Sequence, residues 1–258
     1  TGTQYALNGC INDIMATNEI IRSHYGFTDN AQIRMLTDAS CTTQNILDRL
    51  HWLVDGLVPG DVAFFHWSGH GAQMPVISYE NNIEPDGLDE IICPIDIDWR
   101  TRVIKDNDMK AIFDKVPVGV NITVLLDACH SGSGLKEMSE TPSPNKVKSM
   151  STPVDIMNRS YGQDLEPKPR AVMSPSSIAY EDQFGLLISG CTAAQTSADA
   201  WVQTRNKYMG AATYSLTQAL QDANWNISYD LLVNNMNVML HKLGYEQTPE
   251  LNGQQKYF

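Results

Sequence analysis

Two apolar runs of strand length constrain this chain most, because each ends in a reactive side chain set among small residues. The first is Asp61-Val-Ala-Phe-Phe-His-Trp67, followed by Ser68-Gly69-His70-Gly71. The second is Asn121-Ile-Thr-Val-Leu-Leu-Asp127, followed by Ala128-Cys129-His130-Ser131-Gly132. A strand that is apolar throughout, rather than at alternate positions, is buried on both faces, as in a parallel sheet covered by helices. A third such run, Phe184-Gly-Leu-Leu-Ile-Ser-Gly-Cys191, lies further on.

Helical patterns lie between and around these runs. Ile11, Ile14, Met15 and Ile21 recur at helical spacing from about Asn8 to Tyr25, and Gly26 stops the pattern. Thr42 or Thr43 caps a second helix with the apolar stripe Ile46, Leu50, Leu53, Val54 and Leu57. Further helices are expected over Asp106–Val116, Ala211–Ala223 and Ser228–Leu243, with short strands over Ile33–Leu36 and Glu90–Ile95. Residues 72–90 read as loop. Residues 136–182 carry Pro142, Pro144, Pro153, Pro167, Pro169 and Pro175 with few large apolar residues, the texture of a flexible insert. The expected organisation is a large part over 1–135, the insert over 136–182, and a small part of the same domain over 183–258.

Composition narrows the function. With 18 basic and 30 acidic residues the net charge is −12, which disfavours binding to a phosphate backbone and favours cationic ligands. The five cysteines are scattered and form no Cys-x-x-Cys pair, so neither a disulfide scaffold nor a structural zinc site is expected. With no signal-peptide pattern and no long apolar run, the expectation is a cytoplasmic protein without a membrane partner.

Parallel sheets gather catalytic groups at the carboxyl ends of their strands, where His70 and Cys129 fall. A thiol beside an imidazole is an activated nucleophile with its base, and the flanking glycines let a substrate backbone approach. The N–H groups of Gly71 and Cys129 are candidate oxyanion donors. Cys10, Cys41, Cys93 and Cys191 lack such a setting and read as structural. Asp127 precedes Cys129 by two and shares its face of the sheet. An Asp there suits recognition of a cationic side chain, or, alternatively, a helix cap or a loop-fixing hydrogen bond.

The motifs His66-Trp-Ser-Gly-His70-Gly and Leu125-Leu-Asp-Ala-Cys129-His-Ser-Gly resemble the paired catalytic motifs of metacaspases and the related orthocaspases. Gly9-Cys-Ile-Asn-Asp13, Ile188–Asp199 and Gly210–Ser215 are similar to that family too, so the resemblance covers most of the chain outside the insert. The caspase signature Gln-Ala-Cys-x-Gly is absent. The resemblance implies a caspase-like three-layer α/β sandwich with a central, mostly parallel sheet. It also implies a monomer that hydrolyses protein or peptide substrates after Arg or Lys, with Asp13, Ser68 and Asp127 forming the acidic pocket. It further implies self-cleavage in the insert, where Lys136, Lys146, Lys148, Arg159, Lys168 and Arg170 are candidate sites, and an apolar strand ahead of Gly9, although Thr1–Leu7 are not strongly apolar. Calcium as an activator would be held by Asp89 and Asp106, but Asn107 and Lys136 stand where further carboxylates are expected. Two other readings remain at this stage: an idle caspase-like scaffold, and a thiol-dependent acyl transferase or ligase.

Overall fold

The structure is a computed structural model that describes residues 5–76, 87–130, 145–157, 185–192 and 194–253. Its first helix, α1 (Cys10–His24), follows the sequence pattern to within two residues at each end. Ile33–Leu36 is not a strand; a short 3-10 turn, Asn30–Gln32, precedes it, capped by the Asp29 carboxylate accepting from Ala31 N–H. Helix α2 (Thr43–Val54) starts where the Thr42 hydroxyl accepts from Asn45 N–H at 3.3 Å.

The apolar runs become the core strands β1 (Val62–Ser68), β5 (Asn121–Asp127) and β7 (Gly185–Ser189). They are parallel neighbours in the order β1-β5-β7, and β10 (Glu250–Gly253) closes the far edge antiparallel to β7. This is the expected α/β sandwich with a mostly parallel central sheet. Leu125 and Leu187 are 0% exposed because β5 and β7 have a strand on either side and helices on both faces.

The register assigns each face. Ala63, Trp67, Ile122, Val124 and Leu126 pack with α2 and with α3 (Asp106–Phe113). Leu125 and Ile188 pack with α5 (Ala211–Asp222) and α6 (Tyr229–Lys242), and Ile20 of α1 joins that layer. Ser68 pairs with Asp127 across β1 and β5, so two polar side chains stand together at the carboxyl edge of the α1–α5 face.

Two smaller sheets complete the carboxyl end. One has the order β2-β3-β4, formed by β2 (Gly71–Pro75), β3 (Leu88–Ile92) and β4 (Ile104–Lys105). Part of the segment read as loop is therefore strand. Its residues Ala72 and Met74 are buried against Ile91, and antiparallel pairing stabilises a segment whose own strand propensity is low. The other sheet has the order β6-β8-β9, formed by β6 (Lys146–Val147), β8 (Ala198–Val202) and β9 (Lys207–Gly210).

Residues 145–157 belong to the segment read as a flexible insert, yet they are packed. They form β6 and the short helix α4 (Val154–Met157), whose Ile156 is buried with Met74 and Ile91. Residues 136–144 and 158–182 lie outside the described residues, as do the candidate sites Lys136, Arg159, Lys168 and Arg170. No described helix is long and apolar enough to cross a membrane.

Leu125 has neighbours from β7, α5 and α6, so its loss leaves a cavity that the sheet cannot close. In a Cys129→Ala background, Leu125→Ala is expected to lower unfolding free energy by about 2–5 kcal/mol in urea titration. Val62→Ala, at the exposed start of β1, is expected to change it by less than about 0.5 kcal/mol.

Candidate active site and its occupied acidic pocket

Asp13 is carried by the first turn of α1, Ser68 by the end of β1 and Asp127 by the end of β5. The fold brings all three together around one cation, the ammonium of Lys148. Its Nζ lies 3.0 Å from Asp13 Oδ2, 3.0 Å from Asp127 Oδ1 and 2.9 Å from Ser68 Oγ. Lys148 and both aspartates are 0% exposed.

Such burial requires that the remaining lone pairs be satisfied. Asp13 accepts from Gly210 N–H at 2.8 and 3.0 Å and from the Ser68 hydroxyl at 2.7 Å. Asp127 accepts from the Ser197 hydroxyl at 2.8 Å, from Thr213 N–H at 2.9 Å and from the Thr213 hydroxyl at 2.6 Å. Gly210 and Thr213 are the cap and first-turn residues of α5, so two carboxylates take up N–H groups that a helix start leaves unpaired. Gly210 admits no side chain, because a Cβ there would collide with Asp127 Oδ2 and Lys148 Nζ.

The charges divide unequally. Burial pushes the Asp13 carboxyl up to about 6, outweighing its share of Lys148. Burial would raise Asp127 too, but the Lys148 ammonium and the Thr213 hydroxyl and N–H outweigh it and hold that carboxyl below its usual range. Burial would likewise discharge Lys148, yet the two carboxylates hold its ammonium well above the usual lysine range. Behind the pocket, His66 bridges the hydroxyls of Thr17 (3.0 Å) and Thr213 (3.3 Å), and burial pushes it down to about 3, so it adds no charge at neutral pH.

The backbone of Lys148 is as closely held as its side chain. Its carbonyl oxygen accepts from Gly71 N–H and from Cys129 N–H, each at 3.1 Å, and its own N–H donates to the Ser197 carbonyl at 3.0 Å. These are the two donors expected of an oxyanion site. Before Lys148 the chain pairs antiparallel with β8, matching Lys146 with Asp199 and Val147 with Ala198. After it, Ser149 bridges to Gly71, and Met150 N–H donates to the Gly71 carbonyl at 2.9 Å. The Lys148–Ser149 peptide thus crosses the ends of β1 and β5, with a bend at Lys148 between the two pairings.

Cys129 and His70 flank this peptide. Cys129 is 0% exposed, and its sulfur lies against the backbone of Ser197 and the thiol of Cys191. Cys191, read as structural, therefore touches the candidate nucleophile. His70 is held by its carbonyl, which accepts from Cys93 N–H at 3.0 Å and from the Trp67 indole at 3.3 Å. Its ring Nε2 is 2.6 Å from the Tyr5 carbonyl. A carbonyl only accepts, so Nε2 carries the proton and Nδ1 keeps the lone pair. Nδ1 is buried and has no hydrogen-bond partner among the described residues. Burial pushes the imidazole below its usual range, against the opposing pull of the Tyr5 and Ser149 backbones.

Several of these residues gave no sequence signal as site residues: the Tyr5 carbonyl, Ser197, Gly210 and Thr213. The similarity noted over Ile188–Asp199 and Gly210–Ser215 was the signal that could have found three of them. Cys10 also belongs to the pocket. Its thiol, pushed up to about 11 by burial, hydrogen-bonds with Ser68 and feels Lys148.

The candidate calcium residues lie on β3 and at the start of α3. Asp89 of β3 is buried, and its Oδ2 accepts from Lys105 Nζ at 2.5 Å. Asp106 is buried at the start of α3. Among the described residues no three carboxylate, imidazole or thiol side chains converge to hold a metal. A lysine ammonium supplies positive charge at Asp89.

The geometry agrees with three comparisons. A family model described as metacaspase, peptidase C14 domain, matches residues 1–138. Metacaspase-1 of Schizosaccharomyces pombe is 30% identical over 97% of this chain, and metacaspase-1 of Arabidopsis thaliana is 31% identical over 94% of it. The matches cover 64% and 62% of those proteins, so this chain spans less than two thirds of either. A solved structure of a Geobacter sulfurreducens protein superposes with a TM-score of 0.67 at 26% identity, covering 98% of this chain and 87% of that one. With the family motifs at the ends of β1 and β5 and the family model over more than half of its length, the chain belongs to the metacaspases, a family of cysteine peptidases.

Proposed function

We propose that the chain is an endopeptidase that cuts after Lys or Arg, with Cys129 as nucleophile and His70 as base, and that it cuts itself between Lys148 and Ser149. The observation that carries this reading is the seat of Lys148. Its side chain fills the Asp13–Ser68–Asp127 pocket while its carbonyl receives both candidate oxyanion donors. A lysine held only for stability would need the first contact and not the second. Arg would use the same pair of carboxylates, since its guanidinium offers several donors in a fork.

The chemistry follows from the groups present. The thiol leaves the Ser197 backbone, gives its proton to His70 Nδ1 and attacks the Lys148 carbonyl carbon. Negative charge develops on an oxygen already facing two N–H donors, so little reorganisation is needed. His70 returns the proton to the departing Ser149 amine, and water then hydrolyses the thioester. The Tyr5 carbonyl keeps the imidazole in the tautomer that can do this. The chemistry draws on no cofactor. Other proteins would enter as extended chains with a basic residue in the pocket, once the chain's own segment has been cut and displaced.

Three outcomes test the reading. Purified wild type is expected to yield a fragment ending at Lys148 by intact mass, whereas Cys129→Ala stays whole; the same fragments from both would overturn self-cleavage. Protonation of His70 removes the base, and burial shifts that protonation downward. The acid limb of the self-cleavage rate is therefore expected below the ordinary imidazole value of about 6.5; a midpoint above pH 7 counts against His70 as placed here. Because Lys105 already neutralises Asp89, cleavage is expected to persist in a calcium chelator. Activity lost in chelator and restored by calcium would show instead that the acidic loop binds the ion.

A further inference from the structure

The segment in the site makes a second cationic contact that the cysteine-peptidase chemistry does not require. Two residues before Lys148, the Lys146 ammonium donates to the Ala6 carbonyl. Ala6 follows Tyr5, whose carbonyl accepts from His70 Nε2 at 2.6 Å. Asn8 N–H in turn donates to Asp199 Oδ2 at 2.6 Å, and Asp199 is the β8 residue opposite Lys146. Residues 5–8 therefore form a short strap. Asp199 fixes one end, and two consecutive carbonyls at the other end face the base and the incoming ammonium.

The surroundings suit a cation. Asp199 is 0% exposed, and its Oδ1 has no hydrogen-bond partner among the described residues, so an acceptor oxygen lies unpaired beneath the strap. A carbonyl with a carboxylate behind it favours an ammonium or guanidinium over any neutral group. The pairing sets the position as well: Lys146 stands opposite Asp199 and Val147 opposite Ala198, and Lys148 follows with its N–H on the Ser197 carbonyl.

We propose that Tyr5–Asn8 and Asp199 form a second subsite that reads a Lys or Arg two positions before the cleaved residue, and that filling it steadies the carbonyl that orients His70. The favoured substrate is then a chain of the form basic-x-basic, bound as an antiparallel strand on β8. This rests on reading Lys148 as the residue cleaved. Tyr5 acts through His70 and is a positioning residue, whereas the Ala6 carbonyl meets the ammonium directly, so the subsite affects turnover as well as binding.

Two measurements test it. The first is independent of cleavage. In Cys129→Ala protein, Lys146→Met is expected to speed amide hydrogen exchange at Ala6 and Asn8, and Lys146→Arg to leave it slow; exchange unchanged by Lys146→Met overturns the proposal. The second compares fluorogenic peptides Lys-Val-Lys, Arg-Val-Lys and norleucine-Val-Lys with the self-processed enzyme. The norleucine peptide keeps the length and loses the charge, so its kcat/KM is expected to fall at least about tenfold, partly in kcat, with the Arg peptide close to the Lys peptide. Equal kcat/KM for all three overturns the subsite and leaves the cut after Lys intact. No cleavage of any of them overturns the Lys/Arg reading, and this substrate subsite with it.

Discussion

One buried ammonium organises the catalytic end of this molecule. Lys148 Nζ sits between Asp13 and Asp127, which come from α1 and β5 and lie more than a hundred residues apart in the chain. Two carboxylates this close, out of water, would repel each other, and one would have to protonate. The lysine removes that conflict. Removing one partner of a buried ion pair typically costs about 3–5 kcal/mol, so the pocket without a cation is a strained object. The ammonium that fills the pocket meets carboxylates already desolvated and already aimed.

The pocket tolerates so much buried charge because the backbone shares the work. The start of α5 offers Gly210 N–H to Asp13 and Thr213 N–H to Asp127. Helix starts carry unpaired donors and partial positive charge, so both carboxylates are stabilised without a second cation. The absence of a side chain at Gly210 leaves room for the ammonium to reach both. Cys129 is fully buried, with its sulfur against the Ser197 backbone and Cys191 and its N–H on the Lys148 carbonyl.

The legible parts of the chain were those with strong periodicity. The continuous apolar runs of β1, β5 and β7 announced a sheet covered on both faces, and the stripes of α1, α2, α5 and α6 gave helices close to those observed. Strand β2 was missed because Gly-Ala-Gln-Met-Pro has little strand propensity of its own, and its pairing with β3 and the burial of Met74 decide its form. Ile33–Leu36 erred in the other direction. It carries strand-like residues, but no partner strand pairs with it among the described residues. Strands as short as β6 leave no periodicity to detect at all.

By itself the sequence determined which chemistry was on offer: a thiol and an imidazole at two strand ends, with Asp127 on the same face two residues before the thiol. Strand period and strand-end placement are local properties, so they can be read without a fold. Only the tertiary structure decided which of six basic residues in the insert enters the pocket, that the same residue's carbonyl faces Gly71 and Cys129 N–H, and that the Tyr5 carbonyl sets the tautomer of His70. Those outcomes depend on contacts between segments far apart in the chain, where the geometry of α5, β8 and the strap at residues 5–8 selects Lys148 over its neighbours and composition alone ranks them equally.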